Sequence, residues 1–254
     1  MSEHDDPSRQ PPRLAVHRGW GWWREGFHLF REQPLTMLLF GLVYCIVLLG
    51  FQLLPGVGSL LAVFCGPLLT AGFLQVAARL AHGEEPVLGD LFAAFRQPGV
   101  PSLLGIGLWY LVMLMAVAFT VTLLAVLLGI APGAEALEGD INDAVREQLL
   151  MLGLLVLMAA LPVAVAYWLA PALVYFQQQT AAEAMRISLL FMWRNLGAFT
   201  VYLLVMGVLT VASLLTCGVG FVLLAPLSAL SIYSCYRDIA GEGPVQPLAA
   251  GWVE

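Results

Sequence analysis

The sequence predicts an all-α fold: a polytopic membrane helical bundle of six spans in three repeated hairpins, each preceded by an interfacial amphipathic helix. Three observations lead there. Only 11% of the 254 residues are charged while 60% are hydrophobic, with a mean hydropathy of +0.87; a soluble surface needs far more charge. The charges are segregated, with no Asp, Glu, Lys or Arg in 33–78, 97–134, 148–182 or 195–236. Similar short motifs also recur before and within these apolar runs.

A span needs about 20 apolar residues and a hairpin about twice that. The first and fourth runs are broken by Leu54-Pro55-Gly56-Val57-Gly58 and Thr216-Cys217-Gly218-Val219-Gly220. Gly and Pro there mark tight turns. Those two runs therefore hold two spans each and the middle runs one each, near 35–54, 57–80, 100–130, 148–178, 196–215 and 219–237. Residues 1–18 lack the apolar stretch of a signal peptide and read as a disordered cytoplasmic tail. Residues 19–239 form the membrane domain, and 240–254 a second cytoplasmic tail.

The eleven basic residues are all arginine. Ten of them flank the spans on one side, and Arg146 alone falls on the other. Such a bias places the arginine-bearing loops and both termini in the cytoplasm. The net charge of −6 does not oppose this, because acidic residues weigh little in that rule.

Self-similarity organises the domain. Phe30-Arg31-Glu32-Gln33-Pro34 precedes span 1, Phe95-Arg96-Gln97-Pro98 precedes span 3, and Trp193-Arg194-Asn195 precedes span 5. Gly66-Pro67-Leu68, Ala170-Pro171-Ala172 and Ala225-Pro226-Leu227 then lie within spans 2, 4 and 6, followed by Arg79, Arg186 and Arg237. The units are about 20–82, 86–179 and 180–239. The long Arg96-to-Pro171 stretch gives the middle unit an outer-side insertion at about 131–147, where Leu137, Ile141, Val145 and Gln148 share one face of an acidic amphipathic helix. Pro67, Pro171 and Pro226 are expected to kink their spans, since each removes an N–H from the helical ladder.

The segments before the odd spans are amphipathic. Trp20, Trp23, Phe27 and Phe30 recur at helical spacing, with Arg24 and Arg31 available for the wet side. Phe95 with Arg96, and Trp193 with Arg194, repeat the pairing. Trp20, Trp22 and Trp23 suit the aromatic belt of a bilayer, so these residues are the expected lipid-interface set. Thr180 and Glu183 form a capping box for the third segment.

No catalytic constellation appears: there is no HExxH, Walker loop or GxSxG. The four cysteines lack metal-ligand spacing and read as small packing residues. No cofactor, metal or nucleic-acid partner is implied. The spans carry no ionisable carboxylate, His or Arg of the kind pumps and proton-coupled transporters use, only groups such as Tyr44, Thr70, Gln75 and Tyr167. Gly41, Gly50, Gly72, Gly105, Gly107, Gly153 and Gly207 read as points of close helix packing.

The run Gly21-Trp22-Trp23-Arg24-Glu25-Gly26-Phe27, then Phe30-Arg31, then Tyr236-Arg237-Asp238-Ile239 resembles an uncharacterised family of six-span inner-membrane proteins of Gram-negative bacteria. The resemblance covers nearly the whole chain after residue 18. More distantly, the chain is similar to the membrane domain attached to some glycerophosphodiester phosphodiesterases. The resemblance implies fold and location and supplies no catalytic residues. Two readings of function stay open: a non-enzymatic scaffold or envelope factor contacting membrane lipids or another membrane protein, and a permease or channel for an apolar or amphipathic solute.

Reporter fusions test the topology. Fusions after Gly56, Glu138 and Gly218 should report the outer side, and fusions after Glu84, Thr180 and Glu254 the cytoplasm. A cytoplasmic signal at Glu138 overturns the six-span reading.

Overall fold

The computed structural model describes residues 11–127 and 143–243. The first ten residues of the expected tail, most of the outer-side insertion with its acidic helix, and the chain from 244 onward lie outside the described residues.

The described chain is all-helical. Helix α1 (Arg18–Glu32) leads through Gln33 into α2 (Pro34–Gln52). Pro34 starts α2 without loss, because the first turn of a helix has no intrahelical use for its N–H. A turn containing Gly56, at φ +77°, then delivers α3 (Gly58–Ala81). The second amphipathic segment, Leu88–Arg96, is a 3₁₀ helix rather than an α-helix. It is confined to nine residues between Pro86 and Pro98, and Asp90 caps it by accepting from the Val87 N–H at 2.7 Å. Helices α4 (Val100–Leu127) and α5 (Asp143–Gln177) follow. The 35 residues of α5 make a helix of about 50 Å at 1.5 Å per residue, well beyond a hydrocarbon core of about 30 Å.

Gln178, at φ +53°, turns the chain back into α6 (Ala181–Arg194). The Thr180 hydroxyl caps α6 by accepting from the Glu183 N–H. After Asn195 comes α7 (Leu196–Leu215), then a turn through Cys217 and Gly218, both with positive φ, then α8 (Phe221–Ala240). Gly241 ends α8 in the left-handed conformation that favours glycine there.

Five helices, α2, α3, α4, α5 and α7, are long and apolar enough to cross a membrane. α8 falls outside that set because Ser228, Ser231, Ser234, Tyr233, Tyr236 and the Arg237-Asp238 step lower its apolarity. It is also the helix most enclosed by protein, with most of Leu224–Tyr236 buried.

The three proline-bearing helices, α3, α5 and α8, touch one another pairwise. Each runs through its proline without interruption, and Pro67, Pro171 and Pro226 are all buried. Phe176 of α5 stacks on Tyr236 of α8 at 4.8 Å, and the Tyr175 hydroxyl of α5 donates to Gln75 of α3 at 3.2 Å. Each amphipathic segment folds onto one of these helices: α1 onto α8, the 3₁₀ helix onto α3, and α6 onto α5.

Outside this centre, α4 packs along α3 and α2 along α8. Both contacts bring a glycine onto a carbonyl freed by proline. A Cβ at Gly107 would stand 2.7 Å from the Val63 carbonyl oxygen, and one at Gly41 would collide with the Val222 carbonyl. Val63 and Val222 lie four residues before Pro67 and Pro226, so their carbonyls have lost the usual helical N–H. In each case a glycine backbone lies against such a carbonyl, where a larger residue would crowd it.

A methyl group at either position must push two helices apart. Gly41→Ala and Gly107→Ala should each cost about 1–3 kcal/mol, the usual range for overpacking. Gly207, with nothing within 4 Å of a Cβ, is the control. Gly207→Ala should be neutral or stabilising by up to about 1 kcal/mol. Thermal unfolding of the detergent-solubilised chain measures all three, and equal midpoints for Gly41→Ala and Gly207→Ala would remove the argument.

Candidate functional site

The polar chemistry of the described chain gathers at one end of the bundle, where the amphipathic segments lie. Arg18, at the start of α1, meets Asp238, near the end of α8. Its Nε and Nη2 donate to the two Asp238 oxygens at 2.9 and 2.8 Å, and Nη1 donates to Glu25 at 2.7 Å. The Trp22 indole N–H donates to the same Asp238 carboxylate at 2.7 Å. The Asp238 and Glu25 side chains are only 5% and 7% exposed. Burial works against the Arg18 charge, but the hydrogen bonds from Asp238 and Glu25 outweigh it and hold the guanidinium pKa above its ordinary value.

Related ties run around the same end. Arg79 of α3 holds Asp90 of the 3₁₀ helix at 2.9 Å. Gln97 donates to the Tyr175 hydroxyl at 2.9 Å. The Ser188 hydroxyl of α6 donates to the Val165 carbonyl at 2.7 Å and accepts from the Leu169 N–H. Asn195 binds the segment ahead of α1, accepting from the Leu14 N–H and donating to the Pro12 carbonyl. These groups fasten helices to each other. On exposed α6, the Arg186 hydrogen bonds hold the Glu183 carboxyl below its ordinary range.

The expected lipid-interface residues separate into two sets. Trp22, Trp23 and Phe30 are buried, at 0%, 4% and 6% exposure, and therefore contact protein instead of lipid. Trp22 packs with Trp168, Phe191 and Tyr202, and Trp23 stacks on Tyr202 at 5.0 Å while its indole N–H donates to the Tyr202 carbonyl. The reason is steric: Gly19 and Gly26 lie on the same face of α1 and let it press against the backbones of α7 and α8. Trp20, Phe27, Phe95 and Trp193 are exposed, as are Arg24, Arg31 and Arg96. Arg194 is half-buried and engaged.

Apolar spans carried on a polar, self-fastened end define a multi-pass integral membrane protein. The chain is 32% identical over 226 residues to a probable inner membrane protein of Burkholderia thailandensis, in an alignment covering 85% of this chain and 80% of that one. It belongs to the family of that inner-membrane protein. No protein-family model matches the chain. No solved structure matches it either.

The Arg18 cluster was not legible in sequence, because its members stand at opposite ends of the chain. Its contribution is measurable. Arg18→Gln leaves the buried Asp238 carboxylate without its cation and should cost about 3 kcal/mol or more. Arg186→Gln, at an exposed pair, should leave the thermal midpoint unchanged. Equal midpoints for the two variants would show that the cluster does not hold the fold.

Proposed function

We propose that this protein is a non-enzymatic inner-membrane scaffold or envelope factor, with six spans and both termini cytoplasmic, that works by contact with lipids or with another membrane protein. The observation that carries the proposal is the closed centre. α3, α5 and α8 meet along buried apolar and aromatic side chains, and the polar groups nearby are bonded to one another. A bundle packed in this way offers contact surface rather than a wet path.

The Arg18–Asp238 pair supports a sixth crossing. The start of α1 and the end of α8 lie together, and Glu32 and Gln33 lie beside Gly83 and Glu84 at the end of α3. With α8 leaving the turn that follows α7, that neighbourhood is what an even number of crossings requires. The three foldback contacts likewise support a threefold repeat. Each segment preceding an odd span rests on a proline helix, and the first closes on the last. The glycine–carbonyl contacts at Gly41 and Gly107 recur at matching places in two of the units. The likeness to the membrane domain of glycerophosphodiester phosphodiesterases rests on sequence motifs and brings no activity with it.

Transport of an apolar or amphipathic solute is the second reading. It draws on the half-buried Tyr110 and Tyr167, whose rings lie 5.0 Å apart beside Gly66.

Two assays separate the readings. The chain purified in mild detergent should retain a lipid or a membrane protein in stoichiometric amount. The chain sealed into vesicles should not accelerate flux of amphipathic dyes. Flux that disappears on Tyr167→Phe, with nothing retained on purification, would reverse the order of the two.

A further inference from the structure

We infer that the outward stripe of α1, formed by Trp20, Arg24, Phe27 and Arg31, docks the headgroups of anionic phospholipids. This rests on the membrane reading above and names the lipid that the inner surface selects. α1 has two faces. Gly19, Trp22, Trp23, Gly26, Leu29 and Phe30 are buried against protein, whereas Trp20, Arg24, Phe27, His28, Arg31 and Glu32 are exposed, Glu32 beside His28 at the edge of that face. The exposed positions recur at helical spacing, so they form one continuous stripe. Two large aromatic groups on it, Trp20 and Phe27, are 56% and 49% exposed, an arrangement that costs free energy in water but suits the interface of a bilayer.

The arginines at this end of the molecule fall into two groups by their partners. Arg18, Arg79, Arg186 and Arg237 each pair with a carboxylate of this chain. Arg24 and Arg31 pair with none among the described residues, and Arg31 instead lies 6.0 Å from the centre of the Phe27 ring. Arg13 and Arg96 are exposed and pair with no carboxylate among the described residues either, but Arg24 and Arg31 share one helix face with two exposed aromatics, Trp20 and Phe27. A guanidinium held there presents its donor fork to phosphate oxygens while the neighbouring rings enter the headgroup layer.

The position of α1 suits that contact. It begins beside Asp238 at the end of α8 and finishes beside Gly83 and Glu84 at the end of α3, so both its ends lie at the level where helices leave the apolar region. Charge complementarity selects the lipid: a neutral headgroup gains little from two unpaired arginines, whereas a phosphatidylglycerol headgroup gains from each.

The test uses the full chain in vesicles of phosphatidylcholine mixed with phosphatidylglycerol. Brominated versions of each lipid quench tryptophan fluorescence, and their ratio gives the preference at the protein surface. The wild-type chain should prefer phosphatidylglycerol, less so as salt is raised. Arg24→Gln and Arg31→Gln should each reduce the preference by up to about fivefold, the equivalent of roughly 1 kcal/mol per basic residue at such a surface. Arg24→Lys and Arg31→Lys should keep most of it, and Arg186→Gln should change nothing. A wild-type chain with no preference, or a preference unmoved by both Gln variants, overturns the proposal. So does a protein cross-linked over Trp20 and Phe27 in place of lipid. The fusion reporters after Gly56 and Glu84 are read in parallel. If they reverse the orientation while the preference still follows Arg24 and Arg31, the orientation falls and the lipid surface stands.

Discussion

Backbone carbonyls in a hydrocarbon medium have no water to turn to, and three buried prolines make this the controlling constraint on the bundle. Each proline takes an N–H from the carbonyl four residues earlier, inside a helix that the rest of the fold surrounds. For Val63 and Val222 the chain answers with a glycine from a neighbouring helix, Gly107 and Gly41. The consequence is geometric, because the glycine must come within backbone contact distance of the carbonyl. That requirement fixes the separation of α2 from α8 and of α4 from α3, and hence the spacing of the helices that wrap the centre.

A second constraint acts at the ends of the chain. α1 finds its main partner in α8, the last helix, so the first element made cannot complete its packing until the final one is in place. Until then the aromatic face of Trp22 and Trp23, together with Arg18 and Glu25, has no protein to bury it. An amphipathic helix in that condition can rest at the membrane surface. In the folded chain Trp22 packs into the cluster of Trp168, Phe191 and Tyr202, and Arg18 pairs with Asp238. A face of this composition suits a bilayer surface or a protein neighbour equally.

That ambiguity explains what sequence could and could not reveal. The long helices were legible from charge-free runs and glycine–proline breaks, and the Thr180–Glu183 cap from its spacing. Of the glycines read as close contacts, Gly41, Gly72, Gly105 and Gly107 do meet a neighbour, whereas Gly50, Gly153 and Gly207 face open space, because a glycine in an apolar run looks the same on a packed face and a bare one. The burial of Trp22, Trp23 and Phe30 was not legible, because an apolar face looks the same whether it meets lipid or protein. What distinguished the cases was glycine: Gly19 and Gly26 mark the face of α1 that reaches backbone, and Trp20 and Phe27 lie off it. The 3₁₀ form of Leu88–Arg96 escaped for another reason, since its apolar periodicity fits either helix type and only the nearby prolines limit its length.

The helix that carries Pro171 differs from the other two proline helices in the same physical terms. No described glycine rests on the carbonyl of Tyr167, the position freed by Pro171. α5 is instead held by α4, by α6 folding back along it, and by the rings of Trp168 and Phe199, 4.8 Å apart at the start of α7. α7 has its main contacts elsewhere, on α1 and α8. The two longest helices, α4 and α5, pack along each other, and α2 lies chiefly on α8. α5 thus meets α7 through side-chain rings and not through a glycine set against backbone.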